Sequence, residues 1–220
     1  MILVYKLSKY RYTPPYGNLL YLPLRDMSLS SKSIDSYHRT LAVTDCSLNG
    51  KGWTFNGTSS LINTGSDFIG TTACTIMGWI YPTGWGEGGI AGHIIGNGKC
   101  ALLITSADAG GGLLNNARLY SDGVNKALSA ANSIILNKWN HITGTRTADG
   151  TANIYINGVL SGTANQASGT PEVGANNIIV GNILAGDKTF AGTIDDLLVF
   201  NRVLSVQEIQ AHYIATKGWH

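Results

Sequence analysis

The sequence predicts an all-β domain, a sandwich or barrel, with one helix near its end. Three observations carry this. Short alternating apolar and polar runs recur between turn residues, roughly a dozen of them at the spacing such folds use. Glycine is abundant, at 28 of 220 residues. Charged residues make up only 13%, about half the usual share, while hydrophobic content is an ordinary 44%. That mixture gives many turns, few long helices and a neutral polar surface, and it is too apolar for a disordered chain. The length suits one large domain with a substantial core.

Residues 1–17 read as an arm or an extra edge strand, with Pro14-Pro15 and several tyrosines, and residues 18–220 read as the domain. GNLLYLPLRD (17–26) is the first strand, and Pro23 favours an edge position because proline cannot donate to a ladder. Residues 32–45 form a loop leading into a short strand. GKGWTFNGTSSLIN (50–63) reads as a hairpin turning at Asn56-Gly57. CTIMGWIYP (74–82) is a strong strand that stops at Pro82, and PTGWGEGG (82–89) is a glycine-rich loop. Residues 89–105 form a hairpin turning at Asn97-Gly98, and ADAGGGLLNN (107–116) reads as flexible. Residues 138–162 give three consecutive antiparallel strands, with Asp149-Gly150 and Asn157-Gly158 at the turns. NNIIVGN (176–182) and FAGTIDDLLVFN (190–201) complete the sheets. A helix of about ten residues follows: Ser205 and Glu208 form an S-x-x-E capping box, and Val206, Ile209 and Tyr213 share a face.

Net charge is +2, so nothing argues for nucleic acid. A small basic cluster, Lys6, Lys9 and Arg11, is a solvated edge or a docking arm. No apolar run approaches membrane-spanning length, and MILVYKLSKYRY lacks the apolar core and cleavage site of an export signal. Cys46, Cys74 and Cys100 are odd in number and show no metal-ligand spacing; they read as buried or half-buried thiols, with no pairing assignable.

Several motifs together resemble the laminin-G-like, concanavalin-A-like jelly-roll family. Gly192, Ile194, Asp195, Asp196, Phe200, Asn201, Arg202, Leu204, Ser205, Glu208 and Ile209 match its tail. Trp139 and His141 match its Trp-x-His strand, and Tyr155, Asn157 and Gly158 its Tyr-x-Asn-Gly turn. CTIMGWIYPT and GWTFNGTSSLINTG look like its Tyr-Pro strand and Phe-x-Gly hairpin. The resemblance spans about residues 18 to 215 and implies two stacked antiparallel sheets, a jelly-roll β-sandwich. It also implies a non-catalytic glycan-binding or adhesion protein. The missing export signal and the neutral surface, rich in Gly, Ser, Thr and Asn, suggest display on a larger assembly such as a bacteriophage virion. The alternatives are a purely structural decoration protein and, less favoured, a glycoside hydrolase. Expected partners are a glycan or protein surface, with neighbouring subunits reached through residues 1–17.

Retaining glycosidases of this family carry paired acids two residues apart on one strand. Here the three glutamates, Glu87, Glu172 and Glu208, are scattered and none has such a partner, which argues against hydrolysis. For binding, Trp85 in its glycine-rich loop with Glu87 beside it is the first candidate, and Tyr120 with Asp122 the second. His141 reads as a packed, hydrogen-bonded histidine.

Asp195 and Asp196 pose the sharpest question. Strict alternation puts Ile194, Asp196, Leu198 and Phe200 on one face and Asp195, Leu197 and Val199 on the other. An inward carboxylate must be paired, hydrogen-bonded or metal-bound. Either Asp195 accepts from backbone amides or from Arg202, or, as the resemblance implies, it holds a structural calcium with Asp35 as a second ligand. Here Asp35-Ser36-Tyr37-His38 departs from the family's Asp-x-Ser-Gly.

Overall fold

The computed structural model describes residues 14–23, 32–33, 36–107, 113–121, 124–164 and 171–220. In chain order the strands are β1 (Asn18–Leu22), β2 (Ala42–Thr44), β3 (Ser47–Leu48), β4 (Trp53–Asn56) and β5 (Leu61–Asn63). They continue with β6 (Cys74–Pro82), β7 (Ala91–Gly96), β8 (Cys100–Ala107), β9 (Leu113–Ser121), β10 (Val124–Leu128) and β11 (Asn140–Arg146). The last are β12 (Ala152–Ile156), β13 (Val159–Leu160), β14 (Thr163–Ala164), β15 (Ile179–Val180) and β16 (Ala191–Phe200), before the helix α1 (Val206–Thr216).

They form two stacked antiparallel sheets, the expected jelly-roll sandwich. The first runs β13-β12-β11-β6-β16-β4-β3, with β1 also paired to β16; the second runs β14-β10-β9-β8-β7-β15-β5-β2. Leu20, Ile76, Ile80, Ile142, Ile194, Leu197 and Val199 of the first sheet meet Ile62, Leu102, Ile104, Leu119 and Val180 of the second in one core. Cys46 is half-buried, and Cys74 and Cys100 are buried. Burial pushes the Cys46 thiol up to about 12, so it stays protonated.

Local chemistry explains most elements. The β7–β8 hairpin turns at Asn97-Gly98, where the Asn97 side-chain oxygen accepts from the Lys99 and Cys100 amides. The β11–β12–β13 meander uses both expected turns, with Asn157 and Gly158 at φ 52° and 77°. Residues 50–63, in contrast, are no hairpin: β4 pairs in the first sheet and β5 in the second. Asn56 makes a corner instead, its side-chain oxygen accepting from the amides of Thr58, Ser59 and Ser60.

The capping box forms as expected, Ser205 accepting from the Glu208 amide and Glu208 from the Ser205 amide. The buried stripe of α1 differs from the expected one. It is Ile209, His212 and Thr216, with Tyr213 half-buried, while Val206 is exposed. This stripe covers the outer face of the first sheet, where Met77, Tyr155, Leu198, Phe200, Leu204 and Ile209 build a second, smaller core.

The faces of β16 are also reassigned. Asp195 pairs with Trp79 and Leu198 with Met77, so Asp196 and Leu197 together face the single residue Gly78. This is a β-bulge, and Asp196 takes the left-handed φ of 45° that aspartate tolerates. Strict alternation therefore fails after Asp195. Leu197 and Val199 point into the main core with Ile194, while Leu198 and Phe200 lie in the outer cluster under α1. Gly78 makes room: a Cβ there would lie 3.1 Å from Leu197 Cδ1 and 3.4 Å from the Asp195 carbonyl oxygen.

Candidate functional site

Among the described residues, one place gathers aromatic, acidic and imidazole side chains: the outer face of the first sheet beside the end of α1. Trp79 projects from β6 and is almost fully buried. Its indole N–H donates to Thr216 Oγ1 at 2.8 Å, and its ring lies against Tyr213, His141 and His220. His220 is held between Trp79 and Trp139, with ring centroids 4.4 and 4.5 Å away.

Beneath that imidazole lie both aspartates. The bulge brings the two adjacent carboxylates to one place: His220 Nε2 is 3.8 Å from Asp195 Oδ2 and 3.6 Å from Asp196 Oδ2. Asp195 also accepts from the Asp196 amide at 2.8 Å, and the Tyr21 hydroxyl donates to Asp196 at 3.4 Å. Arg202 takes no part, because it pairs with both oxygens of Glu208. That pairing drops the Glu208 carboxyl to about 2.

Asp195, Asp196 and His220 each offer a ligand atom within 4.8 Å of the others. Calcium takes six to eight oxygens. Two carboxylates and an imidazole nitrogen are a poor match, and Asp35, the expected second ligand, lies outside the described residues.

Two grooves open beside this cluster and share Lys51, Tyr81 and Trp139. The smaller, about 350 Å³, is floored by Gly192 and lined by Asn49, Thr54, Thr83 and Thr193. Asn49 Nδ2 donates to Thr54 and Thr193 hydroxyls at 2.9 and 3.0 Å, so the polar groups are held in place. The larger, about 750 Å³, runs past Tyr213 to His220, Lys138 and Lys217. Tyr81 and Trp139 stand edge to face at the junction, 5.7 Å between centroids. No aspartate or glutamate lines either groove.

The residues expected from sequence fall elsewhere. Trp85 is half-buried and packs on the main core. Glu87 sits beside it: its amide donates to the Thr189 carbonyl and its carboxylate accepts from the Thr189 hydroxyl at 3.4 Å. Neither lines these grooves. Tyr120 borders a third groove of about 320 Å³ on the outer face of the second sheet, with His93, Leu103 and Lys188. Burial and the nearby Lys188 charge push the His93 imidazole down to about 4. Asp122 lies outside the described residues. His141 is fully buried and its ring packs among Trp79, His212 and Tyr213 as expected, but it is hydrogen-bonded only through its amide and carbonyl, to Asn157; neither ring nitrogen has a hydrogen-bond partner among the described residues. Sequence reasoning missed Tyr81, Trp139 and His220 as a cluster, although Trp139 already stood in a matched motif.

The geometry defines a class: an antiparallel jelly-roll sandwich with aromatic-lined surface grooves. The profile of the concanavalin A-like lectin/glucanases superfamily matches residues 56–210, and the chain belongs to that family. Comparison with curated proteins finds no match. Among solved structures, the binding domain of botulinum neurotoxin serotype D is similar, with 17% identity and a TM-score of 0.63 over 90% of this chain and 51% of that one. The receptor binding domain of the mosaic serotype C/D neurotoxin gives 16% identity and a TM-score of 0.67, covering 90% and 50%. The serotype D ligand binding domain in complex with N-acetylneuraminic acid gives 19% and 0.63, again covering 90% and 50%. The chain thus spans about half the length of these domains, and the likeness concerns the fold.

Proposed function

We propose that this chain is a non-catalytic carbohydrate-binding module that uses the grooves around Trp139 and Tyr81. The observation that carries the reading is the pairing of two aromatic rings with a fixed network of hydroxyl and amide groups. Aromatic faces take the C–H surfaces of a sugar, and the Asn49–Thr54–Thr193 network supplies partners for its hydroxyls. A family that includes lectins, and a similar structure described with a bound sugar, support the same reading.

Catalysis is disfavoured by the same grooves. A retaining pair needs two carboxyl groups about 5 Å apart across the substrate. The grooves carry none, and Asp195 and Asp196 lie buried beneath an imidazole.

The test is a glycan array with the native chain, Trp139→Ala and Tyr120→Ala. Binding lost in Trp139→Ala and kept in Tyr120→Ala supports this groove. The opposite pattern moves the site to the second sheet. The setting proposed for the module is a larger assembly such as a bacteriophage virion, with residues 1–17 as the docking arm. Their deletion should leave a folded chain that no longer assembles; an unfolded product would sink the arm.

A further inference from the structure

We propose that the sugar bound in the Trp139 groove carries a negative charge, a carboxylate or a sulfate. The proposal rests on the glycan-binding reading above and names its ligand class.

Three lysines border the two joined grooves, and each comes from a different part of the chain. Lys51 stands in the turn before β4, Lys138 in the turn before β11, and Lys217 just after α1. The turns fix their places. The Lys51 amide donates to the Asn49 side chain, and the Asn49 amide to the Gly52 carbonyl. Lys138 follows Asn137, which has a left-handed φ of 56° and whose amide donates to the Pro82 carbonyl at 2.7 Å. Lys217 caps α1, its amide donating to the Tyr213 carbonyl.

All three lysines are exposed, and none forms an ion pair among the described residues. Elsewhere the pattern differs: Lys99 meets Glu172 at 2.5 Å, and Lys188 has Asp187 at 4.0 Å. The whole chain carries a net charge of only +2. Three ammonium groups around one recess that no aspartate or glutamate lines are therefore a local excess of side-chain charge. Asp195 and Asp196 are buried, with the His220 ring against their carboxylates.

The chemistry divides cleanly. The Tyr81 and Trp139 rings and the Asn49 network orient the sugar ring. The lysines hold a mobile point charge at the rim and attract an anionic substituent without fixing its exact position. Exposed charges are individually weak, so the three together give about a tenfold preference, and one that salt screens. Arginine would be expected for tight bidentate recognition; lysine suits a preference among related glycans.

The test uses the full chain on an array bearing matched neutral, sialylated and sulfated forms of the same glycan cores. The variants are Trp139→Ala and the double Lys51→Gln/Lys138→Gln. Lys217 is left in place because it ends the helix. The expected result is about tenfold tighter binding to a charged form than to its neutral match. That advantage should shrink with added sodium chloride and fall to about twofold in the double lysine variant, which keeps Lys217, and Trp139→Ala should abolish binding to every form. Sialylated against sulfated spots separates carboxylate from sulfate. If neutral forms bind equally well, the lysine variant is unchanged and Trp139→Ala still abolishes binding, the glycan reading stands and the charged ligand is overturned. No glycan bound by folded protein overturns both.

Discussion

The outer faces of the two sheets have opposite fates. On the first sheet, α1 lies across β6, β11 and β16 and buries Met77, Leu198, Phe200 and a nest of rings around Trp79. On the second, His93, Leu103 and Tyr120 border an open groove with no helix over it among the described residues. The inner faces are alike, both largely apolar. The difference shows that one sheet face can serve as a second core only when another segment returns to cover it. The grooves of interest then lie at the edge of that cover, where rings are held rigidly yet still reach solvent.

Five changes would break or sharpen this contrast. The largest effect is expected at Phe200, fully buried under the helix. Phe200→Ala should cost about 3–5 kcal/mol in urea unfolding, against about 2–3 for Leu103→Ala on the uncovered sheet, which keeps 8% exposure. Equal costs would mean the helix-covered cluster is no core. Next comes the bulge. Gly78→Ala places a Cβ 3.1 Å from Leu197 Cδ1 and should cost about 1–3 kcal/mol. A neutral or stabilising result would mean the bulge can shift.

Acid should follow in size. Burial holds His141, under the helix, well below its usual 6.5, and His93, on the open sheet, at about 4. The folded state thus binds fewer protons than the unfolded chain below about 6.5. Stability is complete above that pH and falls as pH drops, through 4 for His93 and further for His141. Chemical denaturation from pH 7 to 4 should show the decline, and His93→Gln should flatten part of it. A flat profile would refute neutral burial at both sites. Ser205→Ala, which removes the helix cap, should cost about 1 kcal/mol. The smallest effect is expected from calcium: adding it, or EDTA, should leave the melting temperature unchanged. A clear rise with calcium, lost in Asp195→Asn, would show that Asp195 does bind it.

The sandwich was legible because its signals are local. Asn97-Gly98, Asp149-Gly150 and Asn157-Gly158 each sit at a turn they can make by themselves. Asn56-Gly57 carries the same signal but leads to a corner, because β5 is drawn to β15 and β2 of the other sheet. The stripe of α1 was half hidden, since His212 and Thr216 are polar residues in buried positions. The site was least legible. Lys51, Lys138 and Lys217 lie far apart in sequence, and only the pairing of β4, β6, β11 and β16 gathers them. The aspartate pair was flagged as chemistry, but period-two alternation gave it the wrong geometry.

The bulge also has a meaning in the language of crystal defects. Read without Asp196, the strand runs Ile194, Asp195, Leu197, Leu198, Val199, Phe200, a perfect in–out alternation that matches the two clusters found. Asp196 is thus an extra row inserted into a regular lattice, a dislocation. Gly78 and the left-handed turn confine its strain to one site, so the phase of the pattern is intact on both sides. A one-residue gain or loss, which elsewhere in a strand would turn the core outward, is at this position a local edit.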